Sequence, residues 1–289
     1  MGSVEIRAAT PDDLDGVFDL LTVRSRAAFG VSEVDRGQLA DAWRIQGTER
    51  VVAVDDGLVG YAALDSAGHT ELAGRDAGIL DLLLERIEAR ARERGFGGLS
   101  AIASPEDEPF DALLRRAGFA TRGEVLCMWR RLNGSLPEPR LPAGVRVRAY
   151  EAADAGAVQS LLDDAYTGWD ETYVPRPHED WLQWMTGHEE FDPTLWFLAE
   201  RDGELVACAL HWREHQRRGW LKDLVVRADQ RGAGLGRALL EHGFLAYGAR
   251  DVERVGLKVD STNPTGAVQL YERSGFQTER RERIWVKKL

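Results

Sequence analysis

The sequence predicts a mixed α/β (α+β) protein made of two tandem copies of one unit, each a mostly antiparallel mixed sheet flanked by helices. Three observations predict it. The first is an internal repeat. Val4–Ala8 (VEIRA) returns as Val145–Ala149 (VRVRA), Asp56-Gly57 returns as Asp202-Gly203, and Leu113–Phe119 (LLRRAGF) returns as Leu270–Phe276 (LYERSGF). The second is a legible junction. Residues 133–142 (NGSLPEPRLP) carry three of the ten prolines and lie where the second copy begins. The third is that two-residue alternation and helical periodicity follow each other in the same order in both copies. These place the domains at 1–132 and 143–289, joined by a linker at 133–142. A chain of 289 residues suits two domains at roughly 100–200 residues each.

The elements read in order. In the first copy, strand 4–8 leads into a helix opening on DDLDGVFDLL, and VVAV (51–54) and LVGYAAL (58–64) flank a glycine turn. In the second, strand 145–149 leads into the helix of AADAGAVQSLL, and LWFLAE (195–200) and LVACALHW (205–212) flank the matching turn. Arg218–Arg227 reads as a strand. Residues 236–247 read as a helix, with Leu235, Leu239, Gly243 and Ala246 on one face and Leu240, Phe244 and Tyr247 on the next. Arg254–Asp260 is a further strand, and Thr265–Ser274 a short helix stopped by Gly275.

Composition narrows the function. Lys plus Arg number 37 and Asp plus Glu 48, giving 37 − 48 = −11. That opposes binding to nucleic-acid phosphates and favours neutral or cationic partners. No run of roughly 18 apolar residues is present, so no membrane partner is expected. The first residues lack a secretory signal pattern, so a cytoplasmic location is expected. Cys127 and Cys208 sit in apolar runs and are expected as buried free thiols. His178, His188, His211, His215 and His242 show no metal-ligand spacing, so no metal is expected.

Chemistry concentrates between the Arg218–Arg227 strand and the helix after it. Arg231-Gly232-Ala233-Gly234-Leu235-Gly236-Arg237 holds three glycines in five positions between two arginines. Strand, glycine turn and helix N-terminus together form an anion site, because unpaired amides and the helix dipole face the same point. A P-loop would end in Gly-Lys-Ser/Thr, whereas here Arg237-Ala238 follows Gly236. A dinucleotide fingerprint would stand early in its domain, whereas this loop stands late.

Arg231-x-x-Gly234-x-Gly236 after an apolar strand, then Asn263 and LYERSGF, resembles the GNAT (Gcn5-related N-acetyltransferase) superfamily. The tandem arrangement further resembles mycothiol synthase and its actinobacterial relatives. The resemblance implies acetyl-CoA as cofactor and direct transfer of its acyl group to an amine, with two GNAT-like domains. It implies that the amides of Arg231 to Arg237 hold the pyrophosphate and that the backbone of Leu224, Val225 and Val226 pairs with the pantetheine arm. It implies that Asn263 positions the cofactor and that Tyr271 protonates the leaving thiolate. A phenol with a pKa near 10 suits that role.

Many relatives carry a Glu about 11 residues before the loop arginine as general base. Here that position is Trp220, and Asp223 is the nearest acid. The acceptor roof is expected in Asp163-Asp164-Ala165-Tyr166-Thr167-Gly168-Trp169-Asp170-Glu171-Thr172-Tyr173-Val174-Pro175, whose acids and rings suit a small cationic amine. Trp181 and Trp184 are expected in the core. In the first copy Leu114 faces Tyr271 and Glu106 faces Asn263. Arg75–Leu80 is the best match to the loop, with Leu80 in place of Gly236, so that copy is expected to be non-catalytic. A mycothiol synthase-like enzyme acting on a cysteinyl pseudo-disaccharide, a non-catalytic acyl-CoA sensor and a self-associating regulatory protein are the competing readings.

Overall fold

The computed structural model describes residues 4–32, 34–44, 47–169, 173–187, 190–214 and 217–289. The chain forms two compact units, residues 1–125 with 281–289, and residues 126–280.

The first unit runs β1 (Glu5–Ala8), α1 (Leu14–Phe29), α2 (Arg36–Arg44), β2 (Glu49–Val54), β3 (Leu58–Leu64), β4 (Thr70–Gly74), α3 (Ala77–Glu93), β5 (Gly98–Ala103) and α4 (Glu108–Arg116). β1 to β4 form an antiparallel sheet in sequence order. Leu83 and Ile87 of α3, with Leu113 and Leu114 of α4, make its core.

The second unit runs β7 (Val145–Ala149), α5 (Ala155–Thr167), α6 (His178–Thr186), β8 (Phe191–Arg201), β9 (Glu204–Glu214), β10 (Arg218–Val226), α7 (Leu235–Gly248), β11 (Arg254–Asp260) and α8 (Ala267–Arg273). β7 to β10 pair antiparallel in sequence order, and β10 pairs parallel with β11. Alternation along β9 separates two cores. Ala207 and Ala209 pack with Leu239 and Phe244 of α7 and Tyr271 of α8. Cys208 and Leu210 pack with Val158 of α5 and Trp181 of α6.

Two strand segments cross the boundaries read from sequence. Of β6 (Ala120–Arg131), residues 126–131 lie in the second unit, where Leu126 and Met128 enter its core. Of β12 (Gln277–Lys288), residues 281–288 lie in the first unit, where Trp285 is buried and residues 283–288 pair with β5. Each unit therefore contains strand residues from the opposite half of the sequence. Residues 133–142 belong to the second unit and form neither helix nor strand.

The repeat is geometric as well as textual. Arg7 grips Asp13 with two bonds of 2.7 Å, and Arg148 grips Asp154 with bonds of 2.6 and 2.7 Å. Asp56 and Asp202 both turn through the left-handed region, at φ 50° and 53°. After α4 and α8 the same bond closes the turn, Phe119 N–H to Leu114 O and Phe276 N–H to Tyr271 O, each 3.0 Å.

Candidate active site

β10 and β11 are in register only from Arg218 to Leu221 opposite Arg254 to Leu257. Beyond Leu221 they have no pairing, while β10 stays bonded to β9 as far as Val226. Leu224, Val225 and Val226 thus line the open side of a splayed pair. The Val226 carbonyl on that segment accepts Arg231 Nε at 3.0 Å.

The glycine loop sits at the end of β10. Gly232 (φ 79°) and Gly234 (φ 87°) are left-handed, and a Cβ on either would meet nothing within 4 Å. Glycine is therefore required by backbone angle, and the space beside both positions is open. Gly236 has a different reason, since its Cβ would lie 3.2 Å from Leu270 of α8. The first helical bond of α7 runs from Ala238 N–H to Gly234 O at 3.0 Å. The amides of Gly232, Ala233, Gly234, Leu235, Gly236 and Arg237 donate to no acceptor among the described residues. Buried or not, a run of unpaired N–H groups at a helix N-terminus is a cradle for an anion. Arg237 leans instead on Glu241, 2.8 Å away.

The start of the splayed segment carries the titratable groups. A bulge in β10 shifts the register between Leu221 and Asp223. Gly219 and Leu221 face α7, but past the bulge Asp223 and Val225 face α5. That inserted residue settles which way Asp223 points. Asp223 is 6% exposed, accepts from the Tyr166 hydroxyl at 2.5 Å and lies 3.6 Å from Lys222 Nζ. Tyr271 is 7% exposed, and its hydroxyl bonds to no described residue. Burial, then the Asp223 charge, pushes the Tyr271 phenol above its ordinary value, so it keeps its proton across the neutral range. The same two causes raise Tyr166 and the Cys208 thiol.

Asn263, after β11, accepts both the Thr265 amide (2.9 Å) and its hydroxyl (2.5 Å). Its carbonyl oxygen is thus spent on the turn into α8, leaving Nδ2 as the group it can offer.

The acceptor roof differs from its sequence reading in one respect. α5 runs to Thr167, so Asp163, Asp164 and Tyr166 stand on the helix rather than after it. Tyr173 stacks on Tyr166 at 5.1 Å and donates to Asp163 at 2.6 Å. Asp170, Glu171 and Thr172 lie outside the described residues, as do His188 and His215. Trp181 is buried as expected. Trp184 is half-buried, with Lys222 Nζ 4.5 Å and the Arg176 guanidinium 5.2 Å from its ring. Sequence also missed an indole row. Trp212 of β9 is in register with Trp220 of β10, and Trp220 with Gly256 of β11. A Cβ on Gly256 would strike Trp220 at 2.7 Å and Trp129 at 2.8 Å. Trp212, Trp220 and Trp129 therefore share one face, half-buried.

The first copy is built differently at each of these points. Arg75 N–H bonds to Val59 O at 2.8 Å as Arg227 N–H bonds to Val206 O at 2.9 Å. Arg75 is thus the counterpart of Arg227, not of Arg231. The first copy passes from β4 to α3 through Arg75 and Asp76 alone, so the whole loop is missing rather than one glycine. Asp76 caps α3 by accepting Ile79 N–H at 3.0 Å, a bond that holds its carboxyl below the ordinary range. Arg24 of α1 bonds the Leu72 carbonyl at 2.6 Å and Asp107 at 2.5 Å, with its guanidinium 4.7 Å from the Phe110 ring. Leu114 stands where the second copy has Tyr271.

Residues 156–276 match the Acetyltransferase (GNAT) family. Mycothiol acetyltransferase of Streptomyces coelicolor is 31% identical over 93% of this chain and 90% of its own length. That of Thermobispora bispora is 34% identical over 94% and 95%. Among solved structures, a GCN5-related N-acetyltransferase from Sphaerobacter thermophilus superposes with a TM-score of 0.78 at 24% identity, covering 99% of this chain and 95% of its own. A tandem GNAT protein of the clavulanic acid biosynthesis pathway gives 0.73 at 17%, covering 99% and 98%.

Proposed function

Because the chain belongs to the GNAT acetyltransferase family and is an acetyltransferase of that type, we propose that its second unit transfers an acetyl group from acetyl-CoA to a primary amine of a small molecule. The observation that carries this is the run of unpartnered amides from Gly232 to Arg237, at the mouth of a splayed strand pair whose far end holds Asp223 and Tyr271. Residues and cofactor suit each other. The open space beside Gly232 and Gly234 leaves room for a diphosphate, and the free edge of β10 can pair with an amide-bearing arm. Acetyl-CoA supplies an activated acyl group and a thiolate leaving group.

The chain's own residues handle the protons. As the acceptor nitrogen forms its bond to the acyl carbon, Asp223 takes the proton that nitrogen sheds. As the carbon–sulfur bond breaks, Tyr271 gives its proton to the thiolate. The two events support each other: once Asp223 is neutral, the charge that held the phenol proton in place is gone. Exchange through solvent returns the proton from Asp223 to Tyr271. Direct attack needs no covalent enzyme intermediate, and Cys208 is buried with its thiol proton held in place. The first copy, lacking the loop and the phenol and stapled by Arg24, takes no part in the chemistry.

One observation favours a narrower acceptor. Trp212 and Trp220 on the Asp223 face suit a sugar-bearing amine, since an indole packs against the C–H face of a pyranose, while the Trp129 ring beside them is covered by the Arg254 guanidinium at 3.8 Å. Relatives named mycothiol acetyltransferase make a cysteinyl pseudo-disaccharide the first such compound to try. Thiol release from acetyl-CoA over a panel of primary amines, amino sugars and cysteinyl amides tests the proposal. Turnover of one of them supports it, whereas tight acetyl-CoA binding with no turnover on any amine would leave a sensor.

A further inference from the structure

Resting on the acetyltransferase reading above, we infer that Tyr166 is the positioning residue of the acceptor side: its hydroxyl holds one oxygen of Asp223 and so presents the other to the incoming amine. The two carboxylate oxygens have different surroundings. Oδ1 accepts the Tyr166 hydroxyl at 2.5 Å, while Oδ2 faces Lys222 Nζ at 3.6 Å, beyond hydrogen-bond reach. A carboxylate beside a bulge, on a segment that has left the β11 pairing, has little else to fix its rotation. The groups around it are Tyr166 of α5, Tyr173 of the roof, Cys208 of β9, Lys222 of its own strand and Tyr271 of α8. Of these, Tyr166 alone hydrogen-bonds to it among the described residues, and Lys222 forms an ion pair with the other oxygen.

Tyr166 is itself held. Its ring lies against Tyr173, and Tyr173 bonds to Asp163, one turn before Tyr166 on α5. The pairing therefore links the roof over the acceptor to the carboxylate that receives its proton. Taking a hydrogen-bond donor away from a carboxylate makes that carboxylate easier to protonate. Lys222, with its ammonium over Trp184 and 5.9 Å from Trp212, adds a positive charge beside that oxygen, which disfavours the protonated form of an approaching amine.

The test uses the full chain, acetyl-CoA and whichever amine of the panel is turned over fastest. Tyr166→Phe keeps the ring and its stack on Tyr173. Losing one hydrogen bond to a charged group should lower kcat/KM for the amine roughly 10- to 100-fold. Acetyl-CoA affinity should stay within about threefold, since the bond lies away from the glycine loop. The acid limb of the pH profile should move to higher pH, so that part of the loss is recovered by raising the pH. A merely structural role would lower activity equally at every pH. In the Asp223→Asn background Tyr166→Phe should have almost no further effect, because Tyr166 acts through Asp223. Should Tyr166→Phe not fold, 3,5-difluorotyrosine at 166 keeps the shape and donates more strongly, and the acid limb should then move to lower pH. An unmoved acid limb in an active enzyme, or additive losses in the double variant, overturns the role of Tyr166 alone. A wild-type chain inert toward every amine overturns the acetyltransferase reading, and this inference with it.

Discussion

Replacing Tyr271 by Phe removes one oxygen from the site and nothing else. The ring keeps its edge contact with Phe276, 5.7 Å between centroids. The hydroxyl makes no bond to a described residue, so its loss strands no buried partner. Stability should therefore change by less than about 0.5 kcal/mol. The catalytic cost is another matter. Positioned general-acid catalysis contributes roughly 10²–10⁴-fold, equivalent to about 3–5 kcal/mol of barrier. Single-turnover thiol release should fall by that factor while the acetyl-CoA dissociation constant moves no more than a few-fold. Since burial and the Asp223 charge hold the phenol above its ordinary value of 10, wild-type activity should show no basic limb from Tyr271 near neutrality. Asp223→Asn should bring any such limb to lower pH. Full single-turnover rates in Tyr271→Phe would refute the reasoning and reduce Tyr271 to a packing residue.

Other outcomes follow from buried groups. His211 is fully buried, packed 5.3 Å from the Tyr247 ring, and burial pushes it down to about 3 from 6.5. Unfolded chains bind that proton below pH 6.5 and the folded chain does not, so stability is full above 6.5 and falls as pH drops toward 3. Between pH 7 and 5 the loss should be about 2 kcal/mol, and denaturant titrations of His211→Leu should show a shallower pH slope. Arg24→Ala should destabilise the first unit by about 2–3 kcal/mol, because Asp107, 5% exposed, loses its partner. Urea titration reads it, and unchanged acetyl transfer would accompany it. Asp76→Ala should cost about 1 kcal/mol of stability in the same titration as the α3 cap is lost. It should create no acetyl-CoA site, because the first copy lacks the loop.

Much of this architecture is legible in the residues. The repeat, the helix after the glycine loop and the Asp-Gly turns all carry local signals, in spacing or in required backbone angle. What stays hidden is what depends on one residue's register or on distant partners. Asp223 cannot be assigned to a face from alternation, because Lys222 is the extra residue of a bulge and nothing in RGWLKDLVVR marks it. Arg75 matches Arg231 by letter but Arg227 by hydrogen bond, since a missing loop leaves the flanking arginine as the nearest text. Asp76 and Arg24 read as ordinary charges until the helix cap and the Leu72 carbonyl are placed beside them. The passage of residues 126–131 and 281–288 between units has no signature in two similar amphipathic strands. The indole row escapes for a related reason: Trp129 is far in sequence from Trp212 and Trp220, and the three meet only across strands.

If the Gly232–Arg237 amides of the second unit make the acetyl-CoA site, the chain holds a single one. Calorimetric titration of the full chain with acetyl-CoA tests it most directly, run in parallel on Gly234→Asp. That substitution forces a side chain onto a left-handed position at φ 87° and sets a carboxylate in the anion cradle. One equivalent should bind per wild-type chain, with no detectable binding to Gly234→Asp at the same concentrations. Two equivalents per wild-type chain, or unchanged affinity in Gly234→Asp, would contradict it.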